Sequence, residues 1–498
     1  MLVLCLLLAG CTGEPEPEPT PTPTPSAAPS EAAEFALACY PEGGFHPITG
    51  GNRTNLSLGR LIYEGLYVLD QQFQPQEQLC AGSVQSADGL SWTFTLRAGV
   101  TFSDGSPLTT GEVKASLDLA RTSTLYAARL SDITQVTAEE GTVTVSLSRP
   151  NGGLPALLDI PIVKETGSVP LGTGPYVLSQ SEESWSLTAR QDWWQNQPLP
   201  LEEIPLRTIR ETDDLIHAFD TRDIALVATD LTGTNALGFS GSFDTVDYPT
   251  SVMLYVGFNV TSGPCRTALV RQALLRAFDR AAVSTAIYAS HALPAALPLS
   301  PASPYYQEEL AQELEYAPQQ AAELLAQAGW IRGDGGWTSG RQRLSLSLVA
   351  PSDNAIRATA AEHLANGLKE LDIQVELRLL AWDDYLAALD AGDFDLYLGE
   401  VRLTADFDLT ALITPGGSLN FGGYADEQAA QLLQAYRAAS GQGRDLSARR
   451  LSQRLMEEPP FGVLCFKNWS VLTQWSRISN LTPTQQNVFY GFAQWRIA

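Results

Sequence analysis

Residues 91–113 read S-W-T-F-T-L-R-A-G-V-T-F-S-D-G-S-P-L-T-T-G-E-V, a stretch that combines strand, turn and helix signals. Trp92, Phe94 and Leu96 alternate with polar residues, which is typical of a half-buried strand. Asp104-Gly105 is a turn signal between two short strands, and Pro107 ends their pairing. The stretch therefore predicts two strands around a turn, followed by a helix over about residues 110–121.

The rest of the chain predicts an α/β fold, because helix and strand patterns alternate along its second half. The roughly 460 residues after residue 34 are too many for one simple core and suggest two or three lobes. Further predicted elements are strands at 143–147, 252–258, 373–377 and 394–398, and helices within 266–288, from Pro318 to Gly329, from an N-cap at Ser352 to about Glu370, and near 383–391.

The N-terminal segment reads as an export signal and a tether. Residues 2–8 (L-V-L-C-L-L-L) are too short to span a bilayer but match the apolar core of a secretory signal, although no Lys or Arg follows Met1. Leu8-Ala9-Gly10-Cys11 resembles the bacterial lipoprotein box, so we expect a signal peptide at 1–10 and lipid attachment at Cys11. Residues 11–34 would be a lipid anchor and disordered Pro-rich tether. The alternative is a buried N-terminal strand with an incidental Cys.

Composition limits the partners. The chain is 44% hydrophobic and 17% charged with a net charge of −25, and it has no basic patch that would suit nucleic acid. Acidity at this level favours solubility and, more weakly, cationic ligands. After residue 34 no apolar run approaches the length of a transmembrane helix.

Four cysteines follow the tether at wide, irregular spacings that do not match a zinc site: Cys39, Cys80, Cys265 and Cys465. Export permits the bridges Cys39–Cys80 and Cys265–Cys465, and four buried thiols are the alternative.

A series of short motifs accompanies residues 91–113 in a fixed order: Y-E-G-L at 63–66, G-T-G-P-Y at 172–176, D-W-W-Q-N-Q-P-L-P at 192–200, G-F-N at 257–259, V-R-Q-A-L-L-R-A-F-D-R at 270–280, A-A-E-L-L-A-Q-A-G-W at 321–330 and G-D-F-D-L at 392–396. Over residues 35–498 this series resembles the peptide/nickel family of extracellular solute-binding proteins, the receptors of bacterial ABC importers. The glycines of G-T-G-P-Y allow positive φ and close backbone approach, either at a structural turn between lobes or at the ligand.

The resemblance implies a two-lobed, hinged, periplasmic-binding-protein-like α/β fold with an extra subdomain in the first lobe. Residues 35–59, 167–250 and 470–498 would form lobe I, residues 60–166 its subdomain, and residues 251–469 lobe II. A ligand would bind between the two lobes.

The resemblance also implies a site after the G-D-F-D-L strand, where peptide-binding relatives carry an Asp that pairs with the peptide's amino terminus. Asp406 matches best by position, and Asp408 would share its face in an extended segment. Arg402 and Thr404 belong to the same segment, which lacks the family's Gly-Trp. Arg402 could instead form a salt bridge with one of the two carboxylates.

Three more candidates follow from family patterns. Trp382, in W-x-x-Y, could wall the pocket or pack in the core. Asn420 and Tyr424, in L-N-F-G-G-Y, could meet the ligand or fix their loop.

The resulting hypothesis is a lipid-anchored receptor on the extracytoplasmic face of the cell membrane. It would capture a small solute, with a short peptide as the preferred interpretation, and deliver it to a membrane permease. A separate subunit would hydrolyse ATP. We expect a monomer without cofactor, metal or catalytic residues. Receptors for a nickel chelate, haem or a signalling peptide remain alternatives, as does an exported hydrolase. The sequence shows no H-E-x-x-H, G-x-S-x-G or P-loop motif, and its four histidines stand alone: His46, His217, His291 and His363.

Overall fold

The computed structural model describes residues 34–182, 184–474 and 476–498. The predicted signal peptide, Cys11 and nearly all of the tether lie outside these residues. No helix in the described ranges combines the length and apolar character that a membrane span needs.

The described strands, in chain order, are β1 Leu37–Cys39, β2 Tyr67–Leu69, β3 Pro75–Glu77, β4 Cys80–Gln85, β5 Ser91–Leu96, β6 Ile133–Glu139, β7 Thr142–Leu147, β8 Tyr176–Ser181, β9 Ser184–Ala189, β10 Glu203–Thr208, β11 Leu226–Thr229, β12 Phe243–Phe258, β13 Ala292–Pro294, β14 Ile331–Gly333, β15 Gly336–Ser339, β16 Gln342–Arg343, β17 Ser345–Pro351, β18 Gln374–Leu380, β19 Leu396–Arg402, β20 Phe461–Gln474, β21 Ile478–Ser479 and β22 Arg496–Ile497.

The described α-helices are α1 Arg53–Ile62, α2 Thr110–Ala120, α3 Thr212–Asp220, α4 Ala268–Ala277, α5 Arg280–Ala282, α6 Glu308–Gln312, α7 Pro318–Gln327, α8 Ala355–Glu370, α9 Trp382–Ala391, α10 Thr410–Ile413, α11 Glu427–Ala438 and α12 Gly441–Glu457. The mixture of helices and sheets confirms the predicted α/β class.

Three larger sheets organise residues 35–498. An antiparallel sheet has the order β4-β5-β7-β6, and a second has the order β1-β10-β9-β8 with β1 parallel to β10. The third has the order β11-β20-β12-β19-β17-β18, with β13 also pairing with β20. In this sheet β17 runs parallel to β18 and β19, whereas β12 runs antiparallel to β19 and β20.

The long strands β12 and β20 pass from one hydrophobic core to another. Tyr248 and Trp469 belong to a core built mainly from residues 35–206 and 478–495. Leu254 and Leu464, on the same two strands, belong to a core built from residues 254–465. The β12–β20 register shifts between residues 249 and 253, at the passage between the cores. These cores are compatible with two lobes, whereas the individual segment boundaries stay predictions.

Residues 91–113 fold partly as predicted: β5 and α2 form, but an isolated bridge between Thr101 and Pro107 replaces the two predicted strands around the Asp104-Gly105 turn. Trp92 and Phe94 are buried on β5, and the α2 helix begins at a capping box in which Glu112 accepts a hydrogen bond from the backbone N–H of Thr109. Pro318 is the first residue of α7, also as predicted.

Two helix predictions are wrong in detail. The stripe within 266–288 breaks after α4, because Phe278 is extended and Asp279 caps a new turn by accepting a hydrogen bond from the N–H of Ala282 at 2.9 Å. Asn354, not Ser352, caps α8, and the Ser352 hydroxyl donates to the carbonyl of Leu380 at 3.0 Å.

Gly172 and Gly174 allow the close backbone approach that the motif predicts, but neither has a positive φ. A Cβ on Gly172 would lie 2.0 Å from the carbonyl oxygen of Ile62, and one on Gly174 would lie 2.7 Å from it. The turn therefore packs directly against the last residue of α1.

The alternative of four buried thiols is confirmed for the cysteines of the described ranges: Cys39, Cys80, Cys265 and Cys465. Neither of the two bridges that export would permit is formed in this structure. Burial raises the pKa of each thiol, that of Cys39 to about 11.

Candidate functional site

The segment after β19 lies between two cavities. Arg402, Leu403, Thr404 and Ala405 line a cavity of about 530 Å³, and residues 405–407 line a smaller one of about 260 Å³. The predicted site residues Arg402 and Thr404 thus belong to the larger cavity, and Asp406 belongs to the smaller one.

The opposite wall of the larger cavity comes from distant parts of the chain, including α1, residues 125–129, Asp159, Trp469 of β20 and the C-terminal residues 485–488. The guanidinium carbon of Arg53 lies 3.9 Å from the ring centroid of Trp469, and that of Arg402 lies 4.4 Å from it. Both arginines are exposed, whereas Trp469 is only 7% exposed. Although Arg402 is exposed as a whole residue, the protein around its guanidinium group partly desolvates it; this desolvation, followed by repulsion from Arg53, lowers the pKa of Arg402.

A buried carboxylate fixes two further arginines of the larger cavity. Asp159 is 1% exposed and accepts hydrogen bonds from Arg129 at 2.6 Å and from Arg60 at 3.1 Å. Arg60 also donates to the backbone carbonyl of Asp159 at 2.8 Å. One carboxylate shared by two guanidinium groups leaves this wall with a positive charge.

Asp406 is 5% exposed and contacts a remote segment of the chain, at Asn151. Its carboxylate accepts a hydrogen bond from the side-chain amide of Asn151 at 3.1 Å and one from the Thr404 hydroxyl at 2.5 Å. Its carbonyl oxygen accepts from Arg444 at 2.6 Å and from the Tyr436 hydroxyl at 2.8 Å. The segment that carries Asp406 is therefore held from several directions.

Asp408 does not share the face of Asp406, because the intervening Phe407 has a φ of 54° and the segment is not extended. Instead, one Asp408 oxygen lies 3.2 Å from Nε of Arg437 and 3.9 Å from Arg149. Both arginines also pair with Asp132. Asp408 thus belongs to an ion-pair network that joins residues 132–149 to residues 408–437.

The alternative salt bridge of Arg402 is wrong, since neither Asp406 nor Asp408 pairs with it; its guanidinium lies against Trp469. Trp382 is 45% exposed, contacts Tyr385 and lines neither cavity.

Asn420 and Tyr424 stabilise their own loop. The Asn420 side chain donates to the carbonyls of Thr414 at 2.9 Å and Tyr424 at 2.7 Å, and it accepts from the N–H of Tyr424 at 2.8 Å. Neither residue lines the two cavities. These contacts fit the loop-fixing alternative, and a ligand contact by either residue stays a prediction.

Sequence reasoning missed Arg53, Arg60, Arg129 and Trp469. Each stands alone in the sequence, and contacts between remote segments bring them to one cavity. Among the described residues no three His, Cys, Asp or Glu side chains cluster as a metal site would require.

The sequence model described as bacterial extracellular solute-binding proteins, family 5 Middle, matches residues 74–419. The glutathione-binding protein GsiB of Salmonella choleraesuis is 28% identical over 311 residues, which cover 58% of this chain and 59% of GsiB. The chain thus spans about three fifths of the length of that relative. Protein XP55 of Streptomyces lividans is 28% identical over 431 residues, covering 81% of this chain and 78% of XP55.

The solved structure of a nickel ABC transporter from Bacillus halodurans superposes with a TM-score of 0.75 at 18% identity, covering 91% of this chain and 97% of that one. Such a likeness confirms the predicted two-lobed, periplasmic-binding-protein-like fold class. Because the family match extends over more than half of the chain, the protein belongs to the bacterial extracellular solute-binding proteins of family 5.

Proposed function

We propose that this protein is the extracytoplasmic receptor of an ABC importer and that it captures a short peptide between its two lobes. The observation that carries the proposal is the cavity of about 530 Å³ whose walls come from α1, β20 and the segment after β19. Its volume falls in the range of about 300–1,000 Å³ that is usual for small-molecule sites. A relative named as a glutathione-binding protein and a structural neighbour named as a nickel ABC transporter support a small solute.

Delivery requires that the two lobes separate and close again. Polar contacts hold them together here: Asn151 with Asp406, the N–H of Gly152 with the carbonyl of Arg437 at 2.6 Å, and Asp132 with Arg437. An apolar contact, Phe73 on Phe407, accompanies them. The polar contacts can be exchanged for hydrogen bonds to water when the lobes separate, and Phe73 is an apolar side chain that this motion would expose. The protein would present the closed complex to a permease, while a separate subunit hydrolyses ATP.

Mass spectrometry of whatever co-purifies with the protein is the first test, followed by thermal-shift measurements with a library of short peptides. A solute that binds only the folded state raises the melting temperature. Intact peptides after incubation support the receptor, whereas peptide turnover would favour the exported hydrolase. Stabilisation by a nickel–histidine complex or haem, and by no peptide, would favour the alternative receptors.

Asp406 is proposed to meet the peptide's amino terminus, since it lines the smaller cavity next to the larger one. Asp406→Asn should weaken binding of peptides with free amino termini by about tenfold and leave acetylated peptides unchanged. The exposed Asp372, which pairs with Arg332, provides the control Asp372→Asn. Equal losses for both kinds of peptide would remove Asp406 from this role.

The lipid anchor at Cys11 is part of the same proposal. Attachment of two or more acyl chains would hold the receptor at the membrane, where one chain holds only marginally. Cys11→Ser should release the protein into the soluble fraction with solute binding intact. Retention of the variant in the membrane fraction would contradict the anchor.

A further inference from the structure

The larger cavity concentrates positive charge in an otherwise acidic protein. Its lining contains four arginines and one aspartate, although the whole chain has a net charge of −25: Arg53, Arg60, Arg129, Arg402 and Asp159. Asp159 already accepts hydrogen bonds from Arg60 and Arg129. The remaining two guanidinium groups have no carboxylate among the described lining residues to balance them, and the nearby Asp230 and Glu400 pair with Lys467.

Arg53 and Arg402 have no carboxylate oxygen within 4.0 Å in the part of the chain that the structure describes. Their guanidinium groups share the ring of Trp469, so two like charges are held close together. Arg53 is also the first residue of α1, where the helix dipole disfavours a cation. The folded chain gains little from these two charges, and a bound anion would be attracted by both.

The same lining contains unused hydrogen-bonding capacity. Nε of Arg129 and Nε1 of Trp469 are buried donors without a partner among the described residues, and Oε1 of Gln486 is a buried acceptor without one. Buried polar groups are normally hydrogen-bonded, so such atoms point to a ligand. The excess of donors favours a ligand rich in acceptors.

We propose that the larger cavity recognises its solute through a carboxylate, which Arg53 and Arg402 hold beside the Trp469 ring. The inference rests on the proposed receptor function and adds the class of substrate: small solutes with a free carboxylate, peptides among them. A guanidinium group presents paired N–H donors that match the two carboxylate oxygens. The net negative charge of the whole chain favours cationic ligands, whereas the lining of the larger cavity is positively charged and favours an anionic group.

Four tripeptides with free amino termini test the proposal by isothermal titration calorimetry on the purified protein. Ala-Glu-Ala and Ala-Gln-Ala carry a free carboxyl terminus, and the C-terminal amides of both lack it. We expect the doubly neutralised peptide, Ala-Gln-Ala amide, to bind at least tenfold more weakly than the best acid. Comparison of Ala-Gln-Ala with Ala-Glu-Ala amide shows whether the recognised carboxylate is terminal or on a side chain.

Arg53→Gln and Arg402→Gln should each weaken binding of the acidic peptides by about tenfold to a hundredfold, as expected for a charge-assisted hydrogen bond. Neither change should lower the melting temperature appreciably, because both side chains are exposed and have no ion pair in the described ranges. Arg332→Gln removes an equal charge from an exposed pair with Asp372 outside the cavity and should leave binding unchanged. Arg402→Lys should retain part of the affinity, since it keeps the charge but loses the fork of donors.

Each result decides between the two claims. Equal affinity for Ala-Gln-Ala amide and its acid would overturn the carboxylate inference and leave the receptor in place. Acid binding that is unchanged in both arginine variants would do the same. Binding of none of the four peptides would overturn the inference and count against a peptide receptor.

Discussion

Glu64→Gln should remove a pH dependence of stability that a buried carboxyl imposes. Glu64 is 2% exposed, and it accepts hydrogen bonds from Nε1 of Trp194 at 2.7 Å and from the hydroxyl of Thr173 at 2.8 Å. Burial raises its pKa from 4.5 to about 7, because these neutral donors and the Arg190 charge offset only part of the desolvation.

The sign follows from proton counting. Between the unfolded pKa of 4.5 and the folded pKa of about 7, the folded protein keeps a proton on Glu64 that the unfolded chain has lost. The contribution of Glu64 to stability is therefore fully present below the unfolded pKa and is lost as the pH rises through the folded pKa. At about 1.4 kcal/mol per pKa unit, the loss is about 3 kcal/mol in total, of which roughly 2–3 kcal/mol falls between about pH 5 and 8.

Urea unfolding of wild type and Glu64→Gln at four pH values across this range measures the effect. The difference in the free energy of unfolding between the two proteins should change by roughly 2–3 kcal/mol, with wild type relatively more stable at the acidic end. Glu77→Gln, at an exposed position on β3, is the matched control, and its free energy of unfolding should change with pH as that of wild type does. Parallel curves for Glu64→Gln and wild type would refute the reasoning.

Three further predictions concern other parts of the molecule. Asp132→Asn should loosen the ion-pair network that joins residues 132–149 to residues 408–437 and increase the radius of gyration of the solute-free protein in small-angle X-ray scattering; an unchanged radius would show that this network does not hold the two segments together. Gly172→Ala should lower the free energy of unfolding by more than about 2 kcal/mol, because its Cβ would lie 2.0 Å from a carbonyl oxygen at the end of α1, whereas Gly238→Ala, with open space around it, should change little in the same urea assay. Cys265 and Cys465 should resist iodoacetamide until the protein unfolds, as mass spectrometry would show, because burial raises the pKa of both thiols; rapid labelling of the native protein would disprove their burial.

Local patterns predicted elements well where short-range chemistry decides them. The alternation around Trp92 and Phe94 marks β5, and Pro318 marks the start of α7, because strand periodicity and proline geometry act within a few residues. The apolar periodicity after residue 266 predicts too long a helix, because Phe278 leaves the helical conformation while its side chain stays buried. Apolar periodicity records burial and does not record such a break.

The site was harder to predict because its geometry depends on contacts between remote segments. Asp406 and Asp408 were expected on one face, and the positive φ of Phe407 separates them. Phe407 packs edge to face on Phe73, a residue more than 300 positions earlier, with ring centroids 5.2 Å apart. Trp469 carries no local signal of its contact with Arg53, since α1 and β20 lie far apart in the chain and meet only in the folded protein.

The register shift in β12 has a mechanical consequence for the central sheet. Within residues 249–253 side chains replace the strand ladder: the Thr250 hydroxyl donates to the carbonyl of Lys467 at 2.6 Å, and the N–H of Ser251 donates to the Gln485 side chain at 2.5 Å. The β12–β20 pair can bend here without breaking a ladder bond between these two strands, whereas Val252 and Met253 stay paired with β19. Gln485 also lines the larger cavity, so a solute that recruits its amide competes with the backbone for it. Binding of a solute in the larger cavity and the stiffness of β12 at residues 249–253 therefore both depend on the Gln485 side chain.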